Sequence, residues 1–177
     1  FFNACHNSNT APQLQLADSL IDKRADRALC ILEKLSIEEI SNKSAKAMYA
    51  LLLTEALDKN FKSHRNDSLI LIAVDYYKDN SNNKLKTKAY YYLGRVYQDN
   101  KEYIKATEAY LTALKTASPN QAPILQIYNN LALCYESQEF YLPAIKTYKE
   151  SYATAEKMQD KYGILHATRG LGNVYAI

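Results

Sequence analysis

The feature that most constrains this 177-residue chain is a pattern that returns on itself. Tyr90, Leu93, Gly94 and Tyr97 are followed by Ala106, Tyr110 and Ala113. A shift of 38 residues brings Tyr128, Leu131, Ala132 and Tyr135, then Ala144, Tyr148 and Ser151. Forty further on, Leu171, Gly172 and Tyr175 reopen it, and 41 before Leu93 lies Leu52, within Tyr49-x-x-Leu52-Leu53-x-x-Ala56. A period of this length marks an array of small stacked units. Inside each unit apolar residues recur at steps of three and four, the helical spacing. One helical hairpin cannot bury its own apolar face, so its neighbours must stack on it.

The helices implied run through the chain. Leu14, Ala17, Leu20 and Ile21 make one face of the first, and Asp26 is the expected N-cap of a second that buries Ala28, Leu29, Leu32 and Leu35. Ser44 to Asp58 forms a third, and Asp67 caps a fourth bearing Ile70, Ala73, Val74 and Tyr77. Further helices are expected near 83–99, 102–116, 122–137, 141–157 and 161–176, nine in antiparallel succession. Gly94 or Ala132 lets two helices of a hairpin approach, with Ala106 and Ala144 opposite, while Tyr97, Tyr110, Tyr135 and Tyr148 fill the space between hairpins.

Composition narrows the chemistry. The chain has only 4 Gly, none between Phe1 and Leu93, so the first half holds no Gly-rich phosphate loop or dinucleotide turn. All-β folds, which need frequent turn residues, are disfavoured. The net charge of +3 and a pI near 8.6 are spread along the chain, which predicts no nucleic-acid partner for this segment. Lys84, Lys86, Lys88, Arg95, Lys101 and Lys105 do concentrate positive charge around one hairpin, as solvated faces often do. The three Cys are too scattered for a disulfide framework, and His6, His64 and His166 have no metal-ligand spacing, so no metal and no cofactor are expected. Cys30 and Cys134 read as small buried hydrophobes, and Glu38 and Glu39 as helix-start charges. No catalytic pair emerges, so the chain is not expected to be an enzyme. No apolar run is long enough to span a membrane.

The Leu-Gly-x-x-Tyr and Ala-x-x-x-Tyr-x-x-Ala pattern resembles the tetratricopeptide repeat (TPR) family. The resemblance implies an all-α, TPR-like solenoid of α-hairpins in a right-handed superhelix. Units at 87–120 and 125–158 match well, those near 46–82 and 165–177 in part, and 14–35 is a degenerate pair. Spacings of 38 to 41 exceed the usual 34 or so, which implies longer helices or loops. More specifically, Ala17-Asp18-Ser19-Leu20-Ile21, Asp67-Ser68-Leu69-Ile70 and Ala89-Tyr90-Tyr91-Tyr92-Leu93-Gly94-Arg95-Val96-Tyr97 resemble bacterial TPR lipoproteins and membrane-linked TPR regulators.

Residues 1–11 read as the remnant of a signal peptide followed by a flexible linker, with the repeat domain at 12–177, truncated within its last repeat. Phe2, Ala4 and Cys5 are similar to the end of a lipoprotein signal, which places the lipid on Cys5. This implies a lipid-anchored protein of the bacterial cell envelope; without the lipid it would be cytoplasmic. The expected function is a non-catalytic protein-interaction scaffold that binds an extended peptide or protein segment. The alternative is the sensory or oligomerising half of a membrane-linked transcription regulator.

In the family, ligands lie in a concave groove lined by the first helix of each hairpin. The corresponding positions are Tyr91, Tyr92, Arg95 and Gln98, then Gln126, Asn129, Asn130, Leu133 and Glu136, then His166, Arg169 and Asn173. Such a polar groove suits an extended peptide with at least one acidic side chain. The two-carboxylate clamp of one chaperone-binding subfamily is not expected, since of Tyr91, Arg95, Asn130, His166 and Gly170 only Asn130 agrees with it. The incomplete last unit, 161–177, is an expected self-association surface.

Overall fold

The computed structural model describes residues 10–64, 66–118 and 123–176. Among them are nine α-helices: α1 (Ala11–Leu20), α2 (Ala25–Leu32), α3 (Lys43–Lys59), α4 (Ser68–Tyr77), α5 (Asn83–Asp99), α6 (Tyr103–Thr116), α7 (Pro123–Ser137), α8 (Tyr141–Met158) and α9 (Lys161–Tyr175). A 3-10 turn, Ile37–Glu39, separates α2 from α3. No strand occurs among the described residues. Cys5 and the linker before Thr10 lie outside them.

Local chemistry sets the helix ends. Asn42 and Asn82 accept from the backbone N–H of Ala45 and Leu85 at 3.0 and 3.2 Å, and Asp160 accepts from Tyr162 and Gly163. Each satisfies donors that a helix start leaves unpaired. Asp26 does not cap α2: Arg24 holds that position, and Asp26 sits in the first turn, paired with Arg24 at 2.9 Å. The carboxylate still meets the positive end of the helix, two residues inward of the N-cap. Asp67 stands at the N-cap of α4 without a capping bond and accepts from the Tyr97 hydroxyl at 3.1 Å.

Helices α3, α5, α7 and α8 end alike. Phe61, Lys101, Glu139 and Gln159 take positive φ of 56°, 61°, 61° and 55°. The next N–H reaches back six residues, counted inclusively, as in Glu102 to Tyr97 at 2.8 Å and Phe140 to Tyr135 at 2.9 Å. This is the Schellman ending, made here by residues other than Gly.

Packing follows the repeat. Each helix packs on the next, and the first helices of the hairpins (α1, α3, α5, α7, α9) also pack side by side. Neighbouring first helices are therefore parallel. Tyr110 is fully buried, and a Cβ on Gly94 would fall within 3.0 Å of its ring. Tyr148 meets Gly170 the same way. Burying such a ring contributes roughly 2–3 kcal/mol. Cys134 is buried as expected, and burial pushes its thiol up to about 12. Cys30 is exposed, on the outer face of α2. Its neighbours Leu29 and Leu32, not Cys30, supply that helix's buried stripe.

Candidate binding groove on the concave face

The row of parallel first helices forms a concave face. A groove of about 860 Å³ lies along it, with walls from α1, α3, α5 and α7. Asp22, Glu55, Asp58, Lys59, Lys88, Tyr91 and Gln126 are among its lining residues.

Its floor is a chain of alternating charges. Lys59 pairs with Asp22 in the turn after α1 and, at 3.1 Å, with Glu55 one turn back on α3. Glu55 is only 2% exposed, and the Lys88 ammonium of α5 lies against its Oε2, which has no well-formed hydrogen bond. One turn on, Arg95 of α5 donates from Nε to Asp58 at 2.8 Å and meets Asp99 at 3.5 Å. Asp99 in turn meets Nδ1 of the buried His64 at 2.8 Å. The Lys59 hydrogen bond holds the Asp22 carboxyl below its ordinary range. Although burial opposes it, the Asp58 carboxylate pushes the Arg95 guanidinium further up.

Asp58, His64 and Asp99 bring three potential ligand atoms within 4.8 Å of one another. Arg95 bonds both carboxylates of the cluster, and His64 uses both of its nitrogens on Asp99 and the Thr54 carbonyl. The guanidinium therefore supplies the positive charge that a metal ion would bring.

Beyond this floor, amides and phenols of α5 to α8 pair with one another. Asn130 donates to the Tyr91 hydroxyl at 3.3 Å, and burial pushes that phenol up to about 12. Tyr110 donates to Gln98 at 2.7 Å, and its repeat equivalent Tyr148 to Glu136. Ser151 donates to Asn129 at 2.9 Å. On α9 the setting changes: the side chains of His166, Arg169 and Asn173 are exposed and make no hydrogen bond or ion pair among the described residues.

Of the residues expected in the groove, Tyr91, Arg95 and Gln98 on α5 and Gln126, Asn129 and Asn130 on α7 lie on adjoining helices. His166, Arg169 and Asn173 follow on α9. Arg95, expected to meet a ligand carboxylate, is already paired with two carboxylates of the protein. The residues that sequence reasoning missed are Asp22, Glu55, Asp58 and Lys59, and Lys88, expected on a solvated face, instead lies against the buried Glu55. A signal was present: Asp22 and Lys59 are 37 residues apart, as are Asp58 and Arg95. Opposite charges one repeat apart fall side by side on neighbouring parallel helices.

Residues 86–157, the two best-formed hairpins, match the family model of the tetratricopeptide repeat. The chain as a whole is a TPR-like helical solenoid. It superposes on the crystal structure of nearly identical TPR-like repeats from Podosopora anserina, named for kinesin light chain. The TM-score is 0.68 at 17% identity, over 94% of this chain and 85% of that one. No curated protein sequence matches the chain. TPR repeats generally mediate protein–protein interactions. No helix among the described residues is long and apolar enough to cross a membrane.

Proposed function

We propose that this protein is a non-catalytic interaction scaffold that holds an extended peptide or protein segment along its concave face. The observation that carries this reading is the polar stripe of α9: the side chains of His166, Arg169 and Asn173 are exposed and unbonded, on a helix that packs beside α7, the last wall of the groove. Arg and Asn side chains offer the donors and acceptors that an extended backbone and an acidic side chain require. The acid-binding role belongs to Arg169 rather than Arg95, whose guanidinium is held by Asp58 and Asp99. Binding is modest and salt-sensitive, because an exposed guanidinium is screened at physiological ionic strength. The test is NMR mapping with an acidic, Glu-rich unstructured peptide and a Lys-rich one of equal length. Shifts on α7 and α9 with the acidic peptide alone are expected; shifts confined to the convex helices α4, α6 and α8 would contradict the reading.

Lipid on Cys5 is the second element of the proposal, supported by the sequence pattern at Phe2, Ala4 and Cys5. Cys5→Ser in the full precursor should move the protein from the membrane to the soluble fraction. Unchanged membrane association, in a precursor without another span, would defeat it.

Self-association through 161–177 is favoured by the exposed side chains of Tyr162, Leu165 and Tyr175 on α9, and by the empty space beside Gly172. Sedimentation equilibrium of the parent and of Leu165→Lys tests it: a dimer in the first and a monomer in the second is the expected pair of results.

A further inference from the structure

We propose that the part of the groove walled by α1, α3 and α5 is a dipolar subsite for a peptide segment carrying one basic and one acidic side chain. The cation goes to Asp18 and Asp22, the anion to Lys84 and Lys88, and an N–H of the segment reaches Glu55 between them. This rests on the scaffold reading and deepens it, because it names what the groove selects at the end away from α9.

The charges are sorted by helix. Asp18 stands on α1 and Asp22 in the turn after it, while Lys84 and Lys88 stand one turn apart on α5. Helical residues four apart share a face, and all four side chains line the groove. Asp18 and Lys84 are exposed and make no hydrogen bond or ion pair among the described residues. Asp22 gives only Oδ1 to Lys59, and its side chain is largely exposed. The other charges of this stretch are held within the protein: Lys59 by Asp22 and Glu55, and Asp58 by Arg95. An acidic wall therefore faces a basic one. The two walls act on each other: the Lys59 hydrogen bond and, against burial, the charges of Lys59, Lys88 and Lys84 hold the Asp22 carboxyl below its ordinary range.

The second observation is Glu55, on α3 between the walls. It is 2% exposed and lines the groove, yet its Oε2 has no well-formed hydrogen bond. Buried acceptors are nearly always satisfied, and a segment lying across the walls brings backbone N–H donors to this one. The space, about 860 Å³, falls within the range of roughly 300–1,000 Å³ that ligand sites occupy. Packed helices lie roughly 8–10 Å apart, so an extended segment crossing from α1 to α5 sets its two charges about five residues apart. A segment with acidic side chains alone meets Asp18 and Asp22, and one with basic side chains alone meets Lys84 and Lys88. Like charges brought together are unfavourable, so this end of the groove discriminates against both.

The test uses end-blocked Gly-Ser peptides that carry one Lys and one Glu about five residues apart, and versions with Gln in place of the Lys or of the Glu. Each is titrated into the parent, Asp18→Asn and Lys84→Gln proteins, and affinity is read from the NMR shifts of α1 and α5. The peptide with both charges should bind the parent most tightly. Asp18→Asn should weaken it about threefold, the size of an exposed ion pair, and leave the peptide without Lys unchanged. Lys84→Gln should weaken it by a similar factor and leave the peptide without Glu unchanged. Both variants should melt with the parent, since neither side chain has a partner within the protein. Losses of equal size whether or not the matching peptide charge is present would overturn the proposal, as would equal binding of all the peptides. Shifts on α9 with the Glu-bearing peptides but none on α1 and α5 would overturn the subsite and leave the scaffold reading standing. Silence of α1, α5 and α9 with every peptide would defeat both.

Discussion

Helices α5 and α9 are the same repeat helix met twice, 78 residues apart, in different settings. On α5, Gly94 lies under the Tyr110 ring, Thr87 shares a hydrogen bond with Thr116 of α6 at 2.8 Å, and Arg95 is gripped by Asp58 and Asp99. The equivalent positions on α9 are Gly172, Leu165 and Asn173. Gly172 has no atom within 4 Å of where a Cβ would stand, Leu165 is 62% exposed, and Asn173 faces solvent. The repeat pattern therefore fixes where a side chain sits, while the neighbouring helices decide whether it holds the structure together or is available to a partner.

The largest expected effect sharpens this contrast at the glycines. Gly94→Ala drives a methyl into a ring that has no room to move, and should cost about 3 kcal/mol in denaturant unfolding. Next comes Arg95→Ala, which leaves Asp58 and Asp99 without their guanidinium. These side chains are only partly exposed, Asp58 at 15% and Asp99 at 27%. A loss of about 2 kcal/mol is expected, below that of a fully buried pair.

A third prediction concerns Tyr91, the α5 counterpart of Arg169. Burial raises its phenol from 10.0 to about 12 in the folded protein. The neutral form is thus favoured by folding, and this contribution is intact below pH 10 and lost as pH rises towards 12. Near pH 11 the loss should reach roughly 1 kcal/mol, and Tyr91→Phe should remove that part of the alkaline slope. The smallest effect is Gly172→Ala. With open space around it and a helical backbone, Ala should stabilise α9 by about 0.5 kcal/mol. A loss there as large as at Gly94 would break the comparison.

The helices were legible because their apolar spacing and their ends recur from unit to unit. The expected 83–99 coincides with α5, and 141–157 falls one residue short of α8. The close approach at Gly94 was legible because it joins the two helices of one hairpin, although Ala106 was expected opposite it and the Tyr110 ring is what lies against it. The charged floor was not read. Its pairs join different hairpins, and an isolated Asp22 or Lys59 resembles any solvated surface charge until helices one repeat apart are placed side by side. The pairing of Arg95 went unread for the same reason: Asp58, 37 residues earlier, takes its charge. Asp26 shows a smaller failure, in which a good capping residue lost its place because the chain leaves α1 by a turn short enough for α2 to begin at Ala25.

The central claim is that the guanidinium on α5 is structural and the one on α9 is for a partner. The most direct test measures melting temperature and the NMR response to a Glu-rich peptide in Arg95→Ala and Arg169→Ala side by side. Arg95→Ala should melt several degrees lower than the parent, while Arg169→Ala should melt with the parent and lose most of the peptide response. The reverse, with Arg169→Ala destabilised and Arg95→Ala stable but unable to respond to the peptide, would contradict the account.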